Sequence, residues 1–492
     1  MASTIEEQIE AKRRKLEAKM TGGAPPSAVP SAVAPPAPVV AVSTPTPAAA
    51  EPPAAASEEP ANPFVCDAND VVTFRLVSSA EEMTTAEAFE PEFTHQIFRE
   101  DETIFGYKDL RVNVYATAGT FRTYVEVTYS EKVKSTLNPA DDVVAALRKH
   151  FGDEMLVDRD AFLAALAKDA SAPIPGGGGE VVSRWTADGD DEHECTVRVF
   201  KLADEDVYPW HARFEPFTLF YIDGASAIDT EDEKWLLFAT IRASKKNPND
   251  WTLTAFATAY QFYVYPDKTR TRLSQIVVLP PFQRKGLGGK ILEAMRVNAA
   301  SKGHKDVTVE DPTPQLQRLR DVSDVRALIA IPEVMTAVQR CAAKASTLSD
   351  GDGKAGIAAL ELPSDVAELA RAKLCLCAPQ MRRCWEALLF MTAKKAGAPD
   401  TSPAARAFTE LVVRRLKALH CADARRDAGK KRVYPTAGSA VGFVMTFGSG
   451  AGGQGVDMEE DAEGKADPAE VLAEYFHETM SNLNWLASAV KL

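Results

Sequence analysis

The sequence is short of the features that would place a protein in a membrane, outside the cell or along a nucleic acid. No apolar run approaches the roughly 18–20 residues that cross a bilayer, and residues 1–20 form a charged stretch where a signal peptide has its apolar core. Secretion and membrane insertion are therefore not expected. Cysteine is scarce: Cys66, Cys195, Cys341, Cys375, Cys377, Cys384 and Cys421 make an odd count of seven without a C-x-x-C pair. Cys375-Leu376-Cys377 has the wrong spacing for a zinc knuckle and no histidine stands near it. Neither a disulfide framework nor a metal site is expected, and the thiols suit a reducing compartment. Basic charge is in deficit, with 56 Lys and Arg against 70 Asp and Glu, a net charge of −14. A chain of that sign is a poor sequence-independent ligand for DNA, whose phosphates demand clustered cations. It suits a basic partner better.

What is present is an ordinary globular share of apolar residues, 45% of 492. At about 150 residues per domain the length predicts three folded units. Residues 1–20 read as a short charged helix; its cluster Lys12-Arg13-Arg14-Lys15 is either a nuclear import signal or a solvated helix face. Residues 21–63 are nearly all Ala, Pro, Val, Ser, Thr and Glu, which bury too little surface to offset their ordering entropy, so a disordered tether is expected. Order should begin near Val65. Strands are predicted at 71–77, 110–116 and 121–129. Helices follow at 143–150, capped by Asp141 or Asp142, and at 159–168, capped by Asp158. PIPGGGG at 173–179 reads as a loop without the Lys-Ser/Thr of a phosphate loop. In the middle third, aromatic and Thr-rich strands at 235–242 and 251–265 flank a hairpin connection at 245–250. A strand at 273–279, a helix with Ile291, Leu292 and Met295 on one face, and a short strand at 306–310 stopped by Pro312 complete it. The last third reads as helical. Ser364 precedes a helix at 365–377, and Ser402-Pro403 opens one to about residue 426. A flexible connection is expected at 448–467, then a final helix with Asp467 as cap, Pro468 first and Glu470 as capping-box partner.

The chemistry is concentrated in one strand, turn and helix. After the apolar run QIVVL at 275–279 comes QRKGLGG at 283–289. A helix N-terminus presents unpaired N–H groups and a partial positive charge, and glycines let that backbone approach an anion such as a diphosphate. Arg284 and Lys285 add cations beside it. The turn is not the dinucleotide fingerprint, which needs G-x-G-x-x-G and a ribose-binding acid about 20 residues on. It is not a Walker loop either, for want of Gly-Lys-Ser/Thr. A Gly-x-Gly turn by itself also fits a plain strand-to-helix connection.

The pattern Q/R-x-x-G-x-G/A directly after an apolar strand resembles the acetyl-coenzyme A loop of the GNAT acetyltransferase superfamily. Flanking stretches are more specific: VYPDKTR at 264–270, SQIVVLPPF at 274–282, and VEDP at 309–312 with LRD at 319–321. FTHQ at 93–96, EDET at 100–103 and FGYK at 105–108 precede them. Taken in order, these resemble the type B histone acetyltransferase catalytic subunits over about residues 66–325, and the likeness fades beyond 330. The resemblance implies an α/β chain with a GNAT acetyltransferase fold: a splayed central mixed sheet, an N-terminal α/β domain and a C-terminal helical domain. The expected layout is a disordered Ala/Pro-rich tail with a short basic helix at 1–65, the N-terminal domain at 66–200, the acetyl-CoA-binding catalytic domain at 201–325, and the helical domain, with a Gly-rich and acidic insertion, at 326–492.

The resemblance also implies a site. Acetyl-CoA would lie where the strands at 273–279 and 306–310 part. Backbone contacts to its pantetheine and acetyl groups map onto Ile276, Val277 and Val278, and its diphosphate loop onto Gln283, Arg284, Lys285, Gly286, Leu287, Gly288 and Gly289. The reaction is acetyl transfer to a lysine amine, of which only about 0.04% is neutral at pH 7 given a pKa near 10.4, so the site needs a base. The family's carboxylate falls on Glu310, with Asp311 and Asp223 at two further acidic positions; the family usually has Glu where Asp223 stands. Neighbours on a strand face opposite ways, so Glu310 is taken as the base and the other two as supporting. A backbone N–H near Val278 or Leu279 is the expected oxyanion donor; no side chain identifies the acid for the leaving thiolate. Glu100, Asp101 and Glu102 match an acidic tail-contact run, and Trp235 and Tyr260 match aromatic walls around the incoming lysine. Read without the family, Glu310 is better explained as a cap or a lysine partner, Trp235 and Tyr260 are equally plain sheet packing, and Phe262-Tyr263 is core. The implied function is acetylation of free histone tails, above all that of the fourth core histone, using acetyl-CoA and no metal. A WD-repeat histone-binding chaperone is an implied partner, nucleic acid and membrane are not, and cytoplasm and nucleus are the expected locations. Two competing readings are a histone-binding escort with a decayed site, against which Glu310 and the loop stand, and a GNAT enzyme of small amines, against which the acidic run and the large flanking domains stand.

Overall fold

The computed structural model describes residues 62–349, 351–427, 433–435, 443–445 and 468–492. The basic helix expected at 1–20, nearly all of the tether at 21–63, the connection at 448–467 and the Asp467 cap lie outside the described residues.

The first part alternates short strands and helices: β1 (Val65–Asp67), α1 (Ala68–Val71), β2 (Val72–Val77), α2 (Glu82–Thr85), β3 (Thr103–Phe105), β4 (Tyr107–Lys108), β5 (Arg111–Thr117), β6 (Thr123–Thr128), β7 (Glu131–Lys132), α3 (Val143–Phe151) and α4 (Arg159–Asp169). β2, β5 and β6 form a three-stranded sheet, β2 parallel and β6 antiparallel to β5. Asp142 and Asp158 cap α3 and α4 by accepting the N–H groups of Ala145 and Ala161. Asp141, the other cap candidate, instead accepts from Arg99 at 2.8 Å and from the Phe105 amide at 2.7 Å.

The central part comprises β8 (Glu180–Trp185), β9 (His193–Lys201), α5 (Val207–Phe214), α6 (Thr218–Tyr221), β10 (Trp235–Ser244), β11 (Trp251–Val264), β12 (Lys268–Val278), α7 (Leu287–Ser301) and β13 (Asp306–Val309). Its six strands run in the order β13-β12-β11-β10-β9-β8, antiparallel except for the parallel pair β12–β13. The domain border expected at residue 200 falls inside this sheet, because β8 and β9 belong to it. These two strands escape a sequence reading because charges interrupt their apolar alternation. Arg184 pairs with Glu194 at 2.7 Å across them, and Arg198 donates to the Gly178 carbonyl at 2.7 Å.

Strand alternation sorts the sheet into two faces. Val197, Leu236, Phe238, Ala257, Ala259 and Leu273 pack on one face against Ile291, Leu292 and Met295 of α7. Leu237, Ala239, Phe256 and Val277 pack on the other against α5, α6 and the N-terminal sheet, where Phe74, Phe121, Phe214, Phe217 and Phe220 are almost wholly buried. Each such ring contributes about 1.5–3 kcal/mol by leaving water.

The last part is helical: α8 (Pro314–Ile329), α9 (Pro332–Ala345), α10 (Gly353–Leu360), α11 (Ser364–Leu374), α12 (Ala378–Lys395), α13 (Pro403–Asp427) and α14 (Pro468–Ala489), with a small antiparallel pair β14 (Val433–Pro435) and β15 (Phe443–Met445) before α14. It has its own core, centred on buried Trp385, whose indole donates to the Leu360 carbonyl at 2.9 Å. The helix expected over 365–377 is shorter than that. α11 stops at Leu374 because Cys375 turns left-handed (φ 51). The following residues lie along the outer edge of β13, where the Val307 amide donates to the Cys375 carbonyl at 2.7 Å and Val307 bridges Leu376. The observed class is α/β, with a central mixed sheet and a helical C-terminal region, as expected.

Candidate active site

The site begins where two parallel strands part. The β12–β13 ladder covers only Arg270–Leu273 against Asp306–Val309. A last bond runs from the Glu310 amide to the Leu273 carbonyl at 2.9 Å, while β12 continues to Val278. A bulge sits at the parting point: Ala259 faces Leu273 and Thr258 faces Gln275, leaving Ser274 as the extra residue. From there on, the β12 edge away from β11 carries no strand among the described residues.

Backbone direction on that open edge follows from one bond. The Leu279 amide donates to the Thr254 carbonyl at 3.1 Å, on the β11 side. Alternation then turns the Val277 amide toward β11 and those of Ile276 and Val278 toward the open edge. So Ile276 and Val278 offer backbone groups where pantetheine contacts were expected, whereas Val277 offers its buried side chain to the core. Leu279 is excluded as an oxyanion donor because its N–H is spent, and Val278 remains.

The loop closes on this strand. The Gln283 amide side chain donates to the Val278 carbonyl at 3.0 Å. Arg284 (φ 60) and Gly286 (φ 80) take left-handed conformations, and Gly286 is the N-cap of α7. A Cβ at Gly286 would meet nothing within 4 Å, so the space beside the start of α7 is open. Gly288 is different. A Cβ there would come within 2.7 Å of a Leu319 methyl, so a larger residue fits only if that side chain shifts. Gly289 is looser, at 3.9 Å from the same residue. Leu287 is buried, so only its backbone faces the loop. Lys285 points back: its ammonium donates to the Pro281 carbonyl at 2.9 Å and lies 5.4 Å from the Phe282 ring centre.

On the sheet face away from α7, register brings the remaining residues together. Trp235 pairs with Tyr260, Tyr260 with Arg272, and Arg272 with Thr308. Leu273 and Val309 face α7, and Glu310, one residue on, returns to the Tyr260 side. Its carboxylate accepts the Ser274 hydroxyl at 3.0 Å and lies 3.6 Å from the Arg272 guanidinium. The Glu310 side chain is about half exposed, 47%. The Trp235 and Tyr260 rings meet edge to face at 5.0 Å, and Tyr260 meets Phe262 at 4.6 Å. Arg272 lies over Phe262 at 4.5 Å. Tyr260 donates its hydroxyl to Asp232 at 2.7 Å. That bond holds the tyrosine above its usual pKa and the Asp232 carboxyl below its own. Asp311 follows Glu310 exposed, with left-handed backbone (φ 28). Tyr263, expected in the core, is 70% exposed.

The acidic run divides. Glu100 and Asp101 are exposed, with Asp101 accepting the Thr103 amide and hydroxyl at 3.2 and 2.8 Å. Glu102, expected to touch substrate, is instead buried at 3% exposure with left-handed backbone (φ 59). Its carboxylate accepts from Asn69 at 2.9 Å and from the Thr94 amide at 3.1 Å, because a buried carboxylate must find donors inside the protein. Asp223 is 74% exposed and faces His95, 3.3 Å from its ring nitrogen; no contact joins it to Glu310 or Asp311 among the described residues.

With the geometry in place, comparison with known proteins is decisive. The family described as "Histone acetyl transferase HAT1 N-terminus" matches residues 64–223. The histone acetyltransferase type B catalytic subunit of Zea mays is 30% identical over 335 residues, covering 66% of this chain and 69% of that protein. This chain belongs to the type B histone acetyltransferase catalytic subunit family. Its Rattus norvegicus relative is 34% identical over 289 residues, and the match covers 65% of the relative's length and 55% of this chain. The chain thus spans just under two thirds of the mammalian relatives it matches. A crystal structure of an aminoglycoside acetyltransferase from an uncultured soil metagenomic sample is similar over 24% of this chain and 78% of its own, at 19% identity and a TM-score of 0.19, which carries no argument about fold.

In this type B family chain, sequence reading named Asp223 but missed the loop that runs from it to Glu233. It carries Asp223, Asp229, Glu231, Asp232 and Glu233, and runs over the same sheet face as the aromatic wall. Gln275 donates to the Ser226 carbonyl at 2.8 Å and Gln96 to the Ala225 carbonyl at 2.7 Å. Glu215, raised above the usual carboxyl pKa by burial, accepts the Ile228 amide at 2.8 Å. The signal was present as the acid density of DTEDE at 229–233 directly before a strand.

Proposed function

We propose that this family member transfers the acetyl group of acetyl-CoA to a lysine side chain of a free histone tail, that of the fourth core histone, by direct attack within a ternary complex. One observation carries the reading. The strand edge that β13 leaves at Leu273 adjoins the α7 N-terminus, and Glu310 stands at the same parting point on the face that holds an acid-rimmed aromatic wall. The names of the relatives support the same chemistry.

The residues fit acetyl-CoA. Backbone groups of Ile276 and Val278 suit the pantetheine amides, and the first amides of α7, with Gly286 leaving open space, suit the diphosphate. Arg284 stands beside them; Lys285 reaches the anion by giving up its bond to Pro281. When bound, acetyl-CoA supplies a thioester whose carbonyl carbon accepts an amine. The chain's own work is to seat and deprotonate that amine. Trp235 and Tyr260 confine the lysine stem, and their faces attract its ammonium. Glu310, held by Ser274 and Arg272, takes the proton directly or through one water. The Val278 amide, unspent toward β11, aims at negative charge developing on the acetyl oxygen. Asp311 and Asp223 support the site rather than react. Glu100, Asp101 and the acids from Asp223 to Glu233 attract a Lys/Arg-rich tail.

Labelled acetyl-CoA offered with histone tails or with polyamines tests the proposal, and mass spectrometry of the product identifies the lysine. Label in the fourth core histone's tail is the expected result. Label only in polyamines would establish a small-amine enzyme, and binding without transfer an escort. A WD-repeat histone-binding partner and a division between cytoplasm and nucleus are further proposals, tested by co-purification and fractionation.

A further inference from the structure

We propose that His95 is a positioning residue that fixes the Asp223 carboxylate at the substrate face, with Glu102 as its buried anchor. The proposal rests on the acetyl-transfer reading, which gives Asp223 its place beside the basic tail. One ring nitrogen, Nδ1, lies 3.5 Å from the Glu102 carboxylate, and the other, Nε2, lies 3.3 Å from Asp223. The ring also meets Phe93 edge to face at 5.9 Å, which limits its rotation.

The anchor is rigid. Glu102 sits in a left-handed backbone conformation, unfavourable for a residue with a side chain, and its carboxylate is held by the Asn69 side chain and the Thr94 amide. Such a group does not swing out to meet a peptide. Its burial makes sense if what it holds is the imidazole. Asp223 is the opposite case, mostly exposed and carried on a loop, where a carboxylate otherwise samples several rotamers.

The surrounding ties select the same segment. Gln96, next to His95, holds the Ala225 carbonyl, and Gln275 of β12 holds the Ser226 carbonyl. The start of the acidic loop is therefore fastened at Ala225 and Ser226, which brings Asp223 beside His95, and only the His95 contact reaches a charged side chain. A carboxylate thus faces each nitrogen of the ring. Of the two, only the Asp223 carboxylate is exposed, where a cationic tail arrives.

The test compares wild type with His95→Ala, His95→Gln, Asp223→Asn and the His95→Ala/Asp223→Asn double variant. The readouts are kcat and KM for a basic tail peptide, KM for acetyl-CoA, and Tm. His95→Ala should raise the peptide KM about tenfold, the size of coupling seen between contacting polar groups, with acetyl-CoA KM and Tm unchanged. The double variant should lose no more than the worse single one, and His95→Gln, which keeps a donor, should recover most of the loss. Additive losses, or a change confined to Tm or acetyl-CoA KM, would overturn the proposal. If wild type acetylates no tail, the acetyl-transfer reading fails on its own, and ring 15N shifts then judge His95. Asp223→Asn should move the Nε2 resonance, and an unmoved resonance would refute the tie.

Discussion

His211 on α5 is wholly buried, and neither ring nitrogen has a partner among the described residues. Desolvation pushes its pKa from 6.5 down to about 4. Below pH 6.5 the unfolded chain takes up a proton that the folded one refuses until about pH 4, so the folded state loses stability across that window. The full loss is about 3 kcal/mol. Denaturation at pH 7 and pH 4.5 should show a smaller pH dependence in His211→Leu than in wild type; equal dependence would mean that the ring is not kept neutral. A second contrast lies within the acidic run. Glu100→Lys with Asp101→Lys should raise the peptide KM and leave Tm unchanged, whereas Glu102→Ala should lower Tm, because it leaves the Asn69 and Thr94 donors unpaired. The residue types at 100–102 were legible, but their division between surface and interior was not. It depends on the left-handed turn at Glu102, which brings the carboxylate under residues 33 positions away in the chain.

At the scale of elements, the strand, loop and helix from β12 through α7 were legible because apolar alternation, the glycine turn and the helical face agree. The splay itself was read only through the family resemblance. It comes from the short length of β13 and the bulge at Ser274, neither of which has a signature in composition. The start of β12 at Lys268 was also missed, since Arg270 and Arg272 look unlike a buried strand until their partners Asp306 and Glu310 are seen. The two loop glycines make separate predictions. Gly288→Ala crowds Leu319 and should cost about 1–3 kcal/mol, and less in a Leu319→Ala background. Gly286→Ala meets no atom but forces a side chain into φ 80, about 1–2 kcal/mol that Leu319→Ala should not relieve. Chemical denaturation of the four variants checks this, and equal relief at both glycines would contradict the packing account.

Across the molecule, the helical C-terminal region completes the part that carries the candidate site rather than standing apart from it. Cys375 and Leu376 cover the outer edge of β13, and Arg296 of α7 is paired with buried Asp324 of α8, which Gln380 of α12 also contacts at 2.9 Å. These long-range pairings join residues far apart in sequence, so local patterns gave no hint of them. The net charge of −14 and the acids around the aromatic wall predict that the peptide KM rises steeply with salt. A peptide KM constant between 50 and about 300 mM salt would deny electrostatic capture of the tail. The most direct test of the whole account is acetyl transfer to the histone tail by Glu310→Gln, with acetyl-CoA affinity measured in parallel by calorimetry. The account predicts a fall in kcat of about 100-fold or more with an unchanged Kd for acetyl-CoA; undiminished turnover would contradict it.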